Sequence, residues 1–348
     1  MPTDPWIVLA AAGLEAAVGY PARLHRHVPH PVAWIGAGLR RLEALNRGSD
    51  LARRLAGIVV LVLVAGAAGF VGWLFDRFLH GWALILTIAA GSLGLAARSL
   101  YDHVAAVSQA LNSSPAGGGG AASEARRDGG GLLSRKSPSV GHAADSSPSG
   151  GAMGDLVAAR AAVGMIVGRD TEALDEAGVC AAALESLAES FNDGVVAPLF
   201  WFLVGGLAGL FAYKAVNTAD SLIGHREEPY RCFGWAAART DDLMNLVPAR
   251  IAGALIALVA GRGWRGMLRD ARKHASPNSG WPEAAMAGAL QVRLGGPASY
   301  DGVPHARPTF GEGPRPSPLD LRRGLGLYLR ACAVLAAALA LGGLAWPR

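Results

Sequence analysis

The chain has 348 residues, of which 51% are hydrophobic and 17% charged, with a formal net charge of +5. Its mean hydropathy of +0.29 is too high for a soluble enzyme of this length and points to a polytopic helical membrane protein. The basic residues are scattered through loops and form no stripe with interleaved aromatics, which argues against nucleic acid as a partner.

From the N-terminus, Asp4 and the lack of basic residues before Trp6 do not fit a cleavable signal peptide, and the apolar run 6–19, broken by Glu15, is short for a span. His25, His27 and His30 lie among prolines in an irregular segment whose spacing does not set up metal coordination. Residues 56–75 are uniformly apolar and match the ~20 residues that cross a bilayer core. Residues 81–97 follow after a polar turn with Asp76, Arg77 and His80, so the two segments predict a helical hairpin. Arg40, Arg41, Arg47, Arg53 and Arg54 precede the hairpin and Arg98 follows it, which places both outer ends in the cytoplasm by the positive-inside rule.

Residues 112–154 switch to Gly, Ser, Ala and Pro and predict a disordered insertion between an N-terminal part, 1–111, and a larger part, 155–348, that work as one unit. Residues 194–213 are long enough to span, with Pro198 and Gly205-Gly206 predicting a broken or tilted helix. Residues 246–260 are short, and the loop before them carries Lys214, Arg226, Arg231 and Arg239. These two segments are expected to be re-entrant, or to span around a cavity open to the cytoplasm. Residues 327–346 predict a final span. Cys180, Cys232 and Cys332 fit neither a zinc spacing nor a disulfide framework and read as small apolar residues.

The polar residues between these segments fall into blocks. Glu185, Glu189 and Asp193 recur every four residues and share one helix face, without lysines placed to pair with them. Asn217, Asp220 and Ser221 form a second block, either one helical turn or the cap of a new helix. Asp241, Asp242 and Asn245 form a third, resembling the carboxylate pairs that hold magnesium diphosphate in membrane prenyltransferases. Such carboxylates suit Mg²⁺ with phosphate oxygens and water completing its shell. Arg169 beside Asp170, Arg226, Arg239, Arg250, and Arg269-Asp270 with Lys273-His274 offer groups for phosphate or carboxylate, or else serve topology and ion pairs. Ser276, Pro277, Asn278, Ser279 and Gly280 read as a turn leading into a helix with Glu283, whose exposed amides would suit an anion. No Gly-x-x-x-x-Gly-Lys-Ser/Thr loop is present, so a P-loop nucleotide site is not expected.

Taken in order, these blocks, with His30-Pro31-Val32-Ala33-Trp34-Ile35-Gly36, Leu294-Gly295-Gly296-Pro297, Tyr300 and Gly302, resemble the membrane-bound adenosylcobinamide-phosphate synthases of vitamin B12 biosynthesis. The resemblance passes from Ala110-Leu111 directly to Asp155-Leu156, leaving the insertion outside the family pattern. Where the family carries Gly-Asp-Pro this chain has Gly19-Tyr20-Pro21, with Glu15 the nearby acid that would stand in.

The resemblance implies ATP-dependent amide ligation of adenosylcobyric acid, the corrinoid substrate, with aminopropanol phosphate or a related amino-alcohol phosphate. It also implies Mg²⁺, a multi-pass place in the bacterial inner membrane with the active site on the cytoplasmic side, and room for a complex with other cobalamin-biosynthesis proteins. Catalytic work is expected of Glu185, Glu189, Asp193, Asp220, Asp241 and Asp242, with metal held by Glu189, Asp193, Asp220 and Asp242. Substrate binding is expected of His30, Arg169, Asp170, Asn192, Asn217, Ser221, Asn245, Arg250, Ser276, Asn278 and Glu283. Two other classes remain open: a Mg²⁺-dependent membrane prenyl or phosphoalcohol transferase, and a non-enzymatic scaffold for cobalamin assembly.

Overall fold

In the computed structural model, residues 2–20, 29–78, 84–112 and 155–347 are described. His25, His27, His80 and the insertion from 113 to 154 lie outside them. The fold is all-α, as the apolar segments predict. In chain order it comprises α1 (Pro5–Val18), α2 (Pro31–Leu42), α3 (Asp50–Phe78), α4 (Leu84–Ser92), α5 (Ala97–Asn112), α6 (Leu156–Gly164) and α7 (Glu176–Phe191). There follow α8 (Ala197–Ile223), α9 (Tyr230–Phe233), α10 (Trp235–Met244), α11 (Leu246–Ala260), α12 (Trp264–Asp270), α13 (Gly280–Leu290) and α14 (Pro318–Leu344). Between α13 and α14 lie two small antiparallel ladders, β1 (Leu294–Gly295) with β4 (Thr309–Phe310), and β2 (Ala298–Tyr300) with β3 (Val303–His305).

Among the described residues, four stretches are long and apolar enough to cross a membrane: Asp50–Phe78, Leu84–Asn112, Glu176–Ile223 and Pro318–Leu344. Helices α10 and α11, bent by 50° at Asn245, add a fifth if counted together. Leu55, Val59, Val62, Leu63, Phe70 and Trp73 of α3 are exposed. A helix that leaves so much of its apolar surface uncovered has a lipid environment as its natural solvent. At the centre, Leu184, Leu187 and Phe191 of α7 pack with Phe202 and Leu210 of α8, Met286 and Leu290 of α13, and Tyr328 of α14.

Two interruptions shape this part of the fold, and the one at Gly205-Gly206 is the break expected from the sequence. Helix α7 continues into α8 through a π-helical turn, Asn192–Val196, which widens the helix where the polar block sits. The Gly205-Gly206 pair breaks α8 at Gly206, whose φ of +66° is open to glycine and strained for other residues. The amides freed there, Leu207 N–H and Ala208 N–H, donate to the Asp76 carboxylate at 3.2 and 3.3 Å. Asp76 is therefore a helical residue of α3 that satisfies a break in its neighbour, whereas the sequence placed it in a hairpin turn. The second arm of the hairpin extends beyond residue 97 as α5, after a non-helical interruption at 93–96.

Candidate functional site: an acidic pocket between four helices

Three of the polar blocks meet. Glu189 of α7, Asp193 of the π turn, Asp220 of α8, and Asp241 and Asp242 of α10 line one cavity of about 320 Å³ with Asn192, Asn245, Ser276 and Asn278. Helix α8 runs unbroken from its kink to Ile223, so Asn217 and Asp220 share a helical turn and the alternative of a new helix capped at this block does not hold. The bend between α10 and α11 brings Asn245 against the π turn.

Asn245, 1% exposed, organises the floor. Its Oδ1 accepts from Asn192 Nδ2 at 2.8 Å and from Tyr213 Oη at 3.1 Å, while its Nδ2 donates to Asp241 Oδ2 at 2.9 Å. Asn192 Nδ2 also donates to Asp193 Oδ1 at 2.7 Å, and Asn217 Nδ2 to Asp241 Oδ1 at 3.3 Å. Amides thus fix the orientation of Asp193 and Asp241 without neutralising either. Lys214 Nζ reaches the backbone oxygen of Asp193 at 3.4 Å rather than its carboxylate.

The opposite wall is the 274–279 segment. Asn278 Nδ2 donates to the Asp242 carbonyl at 2.7 Å and its Oδ1 accepts from Arg250 at 2.9 Å, tying the turn to α10 and α11. Ser279 Oγ donates to Glu189 Oε1 at 2.9 Å. The start of α13, expected to face an anion, therefore faces a carboxylate of this chain. Arg226 lines the pocket and donates to the Ala275 carbonyl at 2.9 Å.

At the start of this wall, His274 Nδ1 accepts from Ser276 N–H at 2.9 Å, and Nε2 lies 3.6 Å from Glu283 Oε1. Burial lowers the His274 pKa against the opposing pull of the Glu189 charge, so the ring is neutral near pH 7. Glu283, 1% exposed, is pushed well above the ordinary carboxylate range by burial and by the charges of Glu189 and Glu185, and its Oε2 finds no partner among the described residues. Glu283 is not part of the pocket's lining.

The remaining expected site residues fall elsewhere. Glu185 lies one turn below Glu189, 2% exposed, paired with Arg169 and with Arg307 at 3.2 Å, while Oε1 accepts from Gly295 N–H at 2.7 Å. Gly295 has φ +75°, and a side chain there would meet the Pro308 carbonyl at 2.2 Å, which explains the Gly-Gly pair in the sequence. Arg169 and Glu185 thus form a buried ion-pair node that fixes β1 against α7.

Asp170 accepts from Asp301 N–H at 3.1 Å and Gly302 N–H at 2.9 Å, capping the β2–β3 turn, and these bonds lower its pKa. Ser221 Oγ donates to the Asn217 carbonyl at 2.9 Å and does not line the pocket. His30 lies with Glu15, Tyr20 and Lys214 on a separate cavity of about 280 Å³. The Glu15 carboxylate accepts the Arg98 N–H at 3.1 and 3.2 Å, capping α5. Arg250 opens onto a neighbouring cleft. Tyr213 and Ser279 are pocket partners that the sequence reading missed. Tyr213 sits inside an apolar run with nothing to mark its hydroxyl, and Ser279 reads as turn chemistry.

The cavity offers hard oxygen donors, the kind that Mg²⁺ takes. Among the described residues, no three His, Cys, Asp or Glu side chains stand together in a metal-ligating arrangement. The protein alone therefore forms no cage. The pocket fits Mg²⁺ in the mode where one or two carboxylates and a substrate's phosphates share the ion.

An all-α, multi-pass membrane protein with a carboxylate-rich pocket between its helices is the class that fold and site define. The chain matches the family described as CobD/Cbib protein over residues 8–144 and 139–328, and it belongs to that family. It is 43% identical to the cobalamin biosynthesis protein CobD of Rhodobacter capsulatus over 98% of each chain. It is 41% identical to the protein of the same name from a Sinorhizobium species over 95% of each, and 40% identical to that of Geobacter metallireducens over 91% of this chain and 90% of the relative. No solved structure matches the chain significantly. The family places the chain in cobalamin biosynthesis.

Proposed function

We propose that the chain is an adenosylcobinamide-phosphate synthase that uses ATP to join the free propionate of adenosylcobyric acid to the amine of aminopropanol phosphate or a related amino-alcohol phosphate. The observation that carries this reading is the meeting of five carboxylates from α7, the π turn, α8 and α10 in one pocket, opposite Arg226 and beside further arginines. The reaction brings together a carboxylate, a nucleotide triphosphate and a phosphorylated amine, all anionic at some end, and it needs both cation-holding and anion-holding walls.

The propionate oxygen takes the terminal phosphoryl group and ADP leaves; the amine nitrogen then attacks the acyl carbon, phosphate departs, and an amide and one proton result. Mg²⁺, when bound, would neutralise phosphate charge, held by one or two carboxylates drawn from Glu189, Asp193, Asp220 and Asp242. Asn192, Asn217 and Asn245 keep Asp193 and Asp241 oriented, Arg226 attracts phosphate oxygens, and a pocket carboxylate accepts the proton lost by the amine. Holding amine and activated carboxyl together supplies the proximity the second step needs.

Purified protein given Mg²⁺, ATP, adenosylcobyric acid and aminopropanol phosphate should form the amide with one ADP released per product. ATP turnover that ignores the corrinoid, or no product with all four present, would contradict the reading. The pocket is assigned to the cytoplasmic side, where ATP is. A His225→Cys variant without the native cysteines should react with impermeant thiol reagents after permeabilisation and not in intact cells. Labelling from outside would reverse the orientation.

A further inference from the structure

Beside the acidic pocket, and sharing His274 and Ala275 with it, lies a cleft of about 620 Å³ whose charged lining is of the opposite sign. Arg239 of α10, Arg250 of α11 and Arg272 of the turn Ala271–Lys273 line it with Trp281 and Pro277. These arginines are poorly matched by acids. Arg250 is oriented by neutral groups: it donates to the Leu246 carbonyl at 2.6 Å and to Asn278 Oδ1 at 2.9 Å, and lies 4.7 Å over the Trp281 ring. Arg272 forms no ion pair among the described residues, although its neighbours Arg269 and Lys273 both bind Asp270, at 2.8 and 2.7 Å. Arg239 reaches Asp242 at 3.7 Å, at the rim between the two cavities.

Guanidinium groups from three elements that face one cleft repel each other until an anion joins them, and their forked donors suit the oxygens of phosphate. We infer that this cleft is the subsite for a phosphate monoester dianion, held by Arg239, Arg250 and Arg272. The shared wall at His274 and Ala275 sets the subsite directly beside the carboxylates. A small molecule with a phosphate at one end and an ammonium at the other is complementary to both cavities at once, phosphate on the arginines and ammonium toward Glu189 and Asp242. Resting on the ligation reading above, this assigns the cleft to the phosphate end of the amino-alcohol phosphate, whose amine end enters the acidic pocket beside the metal-bound nucleotide. Arg239 and Arg272 thereby become specificity residues for the phosphorylated over the free amino alcohol.

The test is equilibrium binding to the full chain in phosphatidylcholine nanodiscs, first with inorganic phosphate and then with aminopropanol phosphate. Arg272→Gln should weaken both by at least about tenfold, the scale of a lost charged hydrogen bond, with Arg272→Lys recovering part of the loss. Aminopropanol without phosphate should bind wild type and variant alike. Unchanged phosphate affinity in a folded Arg272→Gln protein would overturn the subsite, as would equal losses for the phosphorylated and free amino alcohols. Arg272-dependent binding of inorganic phosphate without binding of aminopropanol phosphate would support the subsite and count against the ligation reading. Loss of phosphate binding in nanodiscs made with anionic lipid would give the cleft to lipid headgroups and overturn the assignment.

Discussion

Glu185 and Glu189 stand one turn apart on the same face of α7, yet their surroundings are opposite. Two arginines and a backbone amide enclose Glu185, so its charge is matched and its place fixed. Glu189 receives a serine hydroxyl and looks across a cavity at Asp193, Asp220, Asp241 and Asp242. A buried charge whose partners are complete does structural work, because removing it strands the others. Carboxylates gathered without matching cations are held at an electrostatic cost and become favourable when a cation enters. The i, i+4 spacing of α7 therefore creates equivalent positions, and the segments packed on each turn decide their use.

The largest effect should come from the pocket. Replacing Glu189 by Gln, or Asp220 or Asp242 by Asn, should cut ligation by about 10²–10³-fold or more while the protein still inserts and melts as wild type, since shape is kept and charge lost. Initial rates at rising Mg²⁺ should show partial recovery. Wild-type turnover in any two of the three would make these residues structural and erase the contrast with Glu185.

Glu185→Gln should behave in the reverse sense. It leaves Arg169 and Arg307 facing a neutral amide in a buried site, a change that costs about 3–5 kcal/mol when a buried pair loses a partner. Thermal unfolding in detergent should register the loss, and activity per folded molecule should remain within a few-fold of wild type. An unaltered melting temperature with abolished ligation would move Glu185 into the catalytic machinery.

A smaller loss is expected of Asp76→Ala, which strands the Leu207 and Ala208 amides at the α8 break at a cost of about 1–3 kcal/mol. Faster hydrogen exchange confined to the residues around the kink would report it, and unchanged protection there would contradict it.

The subtlest effect concerns Glu283. Its raised pKa means that the folded protein keeps a proton that the unfolded chain releases above the ordinary value of 4.5. The folded state then binds more protons, so stability falls as pH rises from there toward the folded pKa and levels off beyond it. Glu283→Gln should remove that slope, measured as denaturant midpoints across the window; a slope unchanged in the variant would place its origin in another group.

Much of this was legible in the sequence because the signals are local. The span at 56–75 rests on apolar length alone, the break in α8 on two adjacent glycines, and the convergence of the acidic blocks on their positions at the ends of apolar segments. What was not legible depends on residues brought from far along the chain. Two of the three partners of Glu185, Arg307 and Gly295, lie more than a hundred positions away, and spacing within α7 carries no trace of them. Asp76 looked like a turn residue because the amides it satisfies belong to another helix. Asp170 and Ser221 were read as substrate residues from their place in polar blocks and His30 from the family resemblance, and the fold turns each away from the acidic pocket. Arg272 was hidden in a basic run, where only the Asp270 pairings of its neighbours single it out.

The central claim, that carboxylates from separate helices act as one site, is tested most directly by a double-mutant cycle on Asp220 of α8 and Asp242 of α10, read as Mg²⁺-dependent ligation rates. Residues acting as a unit are strongly non-additive, so the Asp220→Asn/Asp242→Asn protein should lose little more activity than the worse single variant. A double variant whose loss equals the product of the two single losses would show that the carboxylates act independently and would contradict the account.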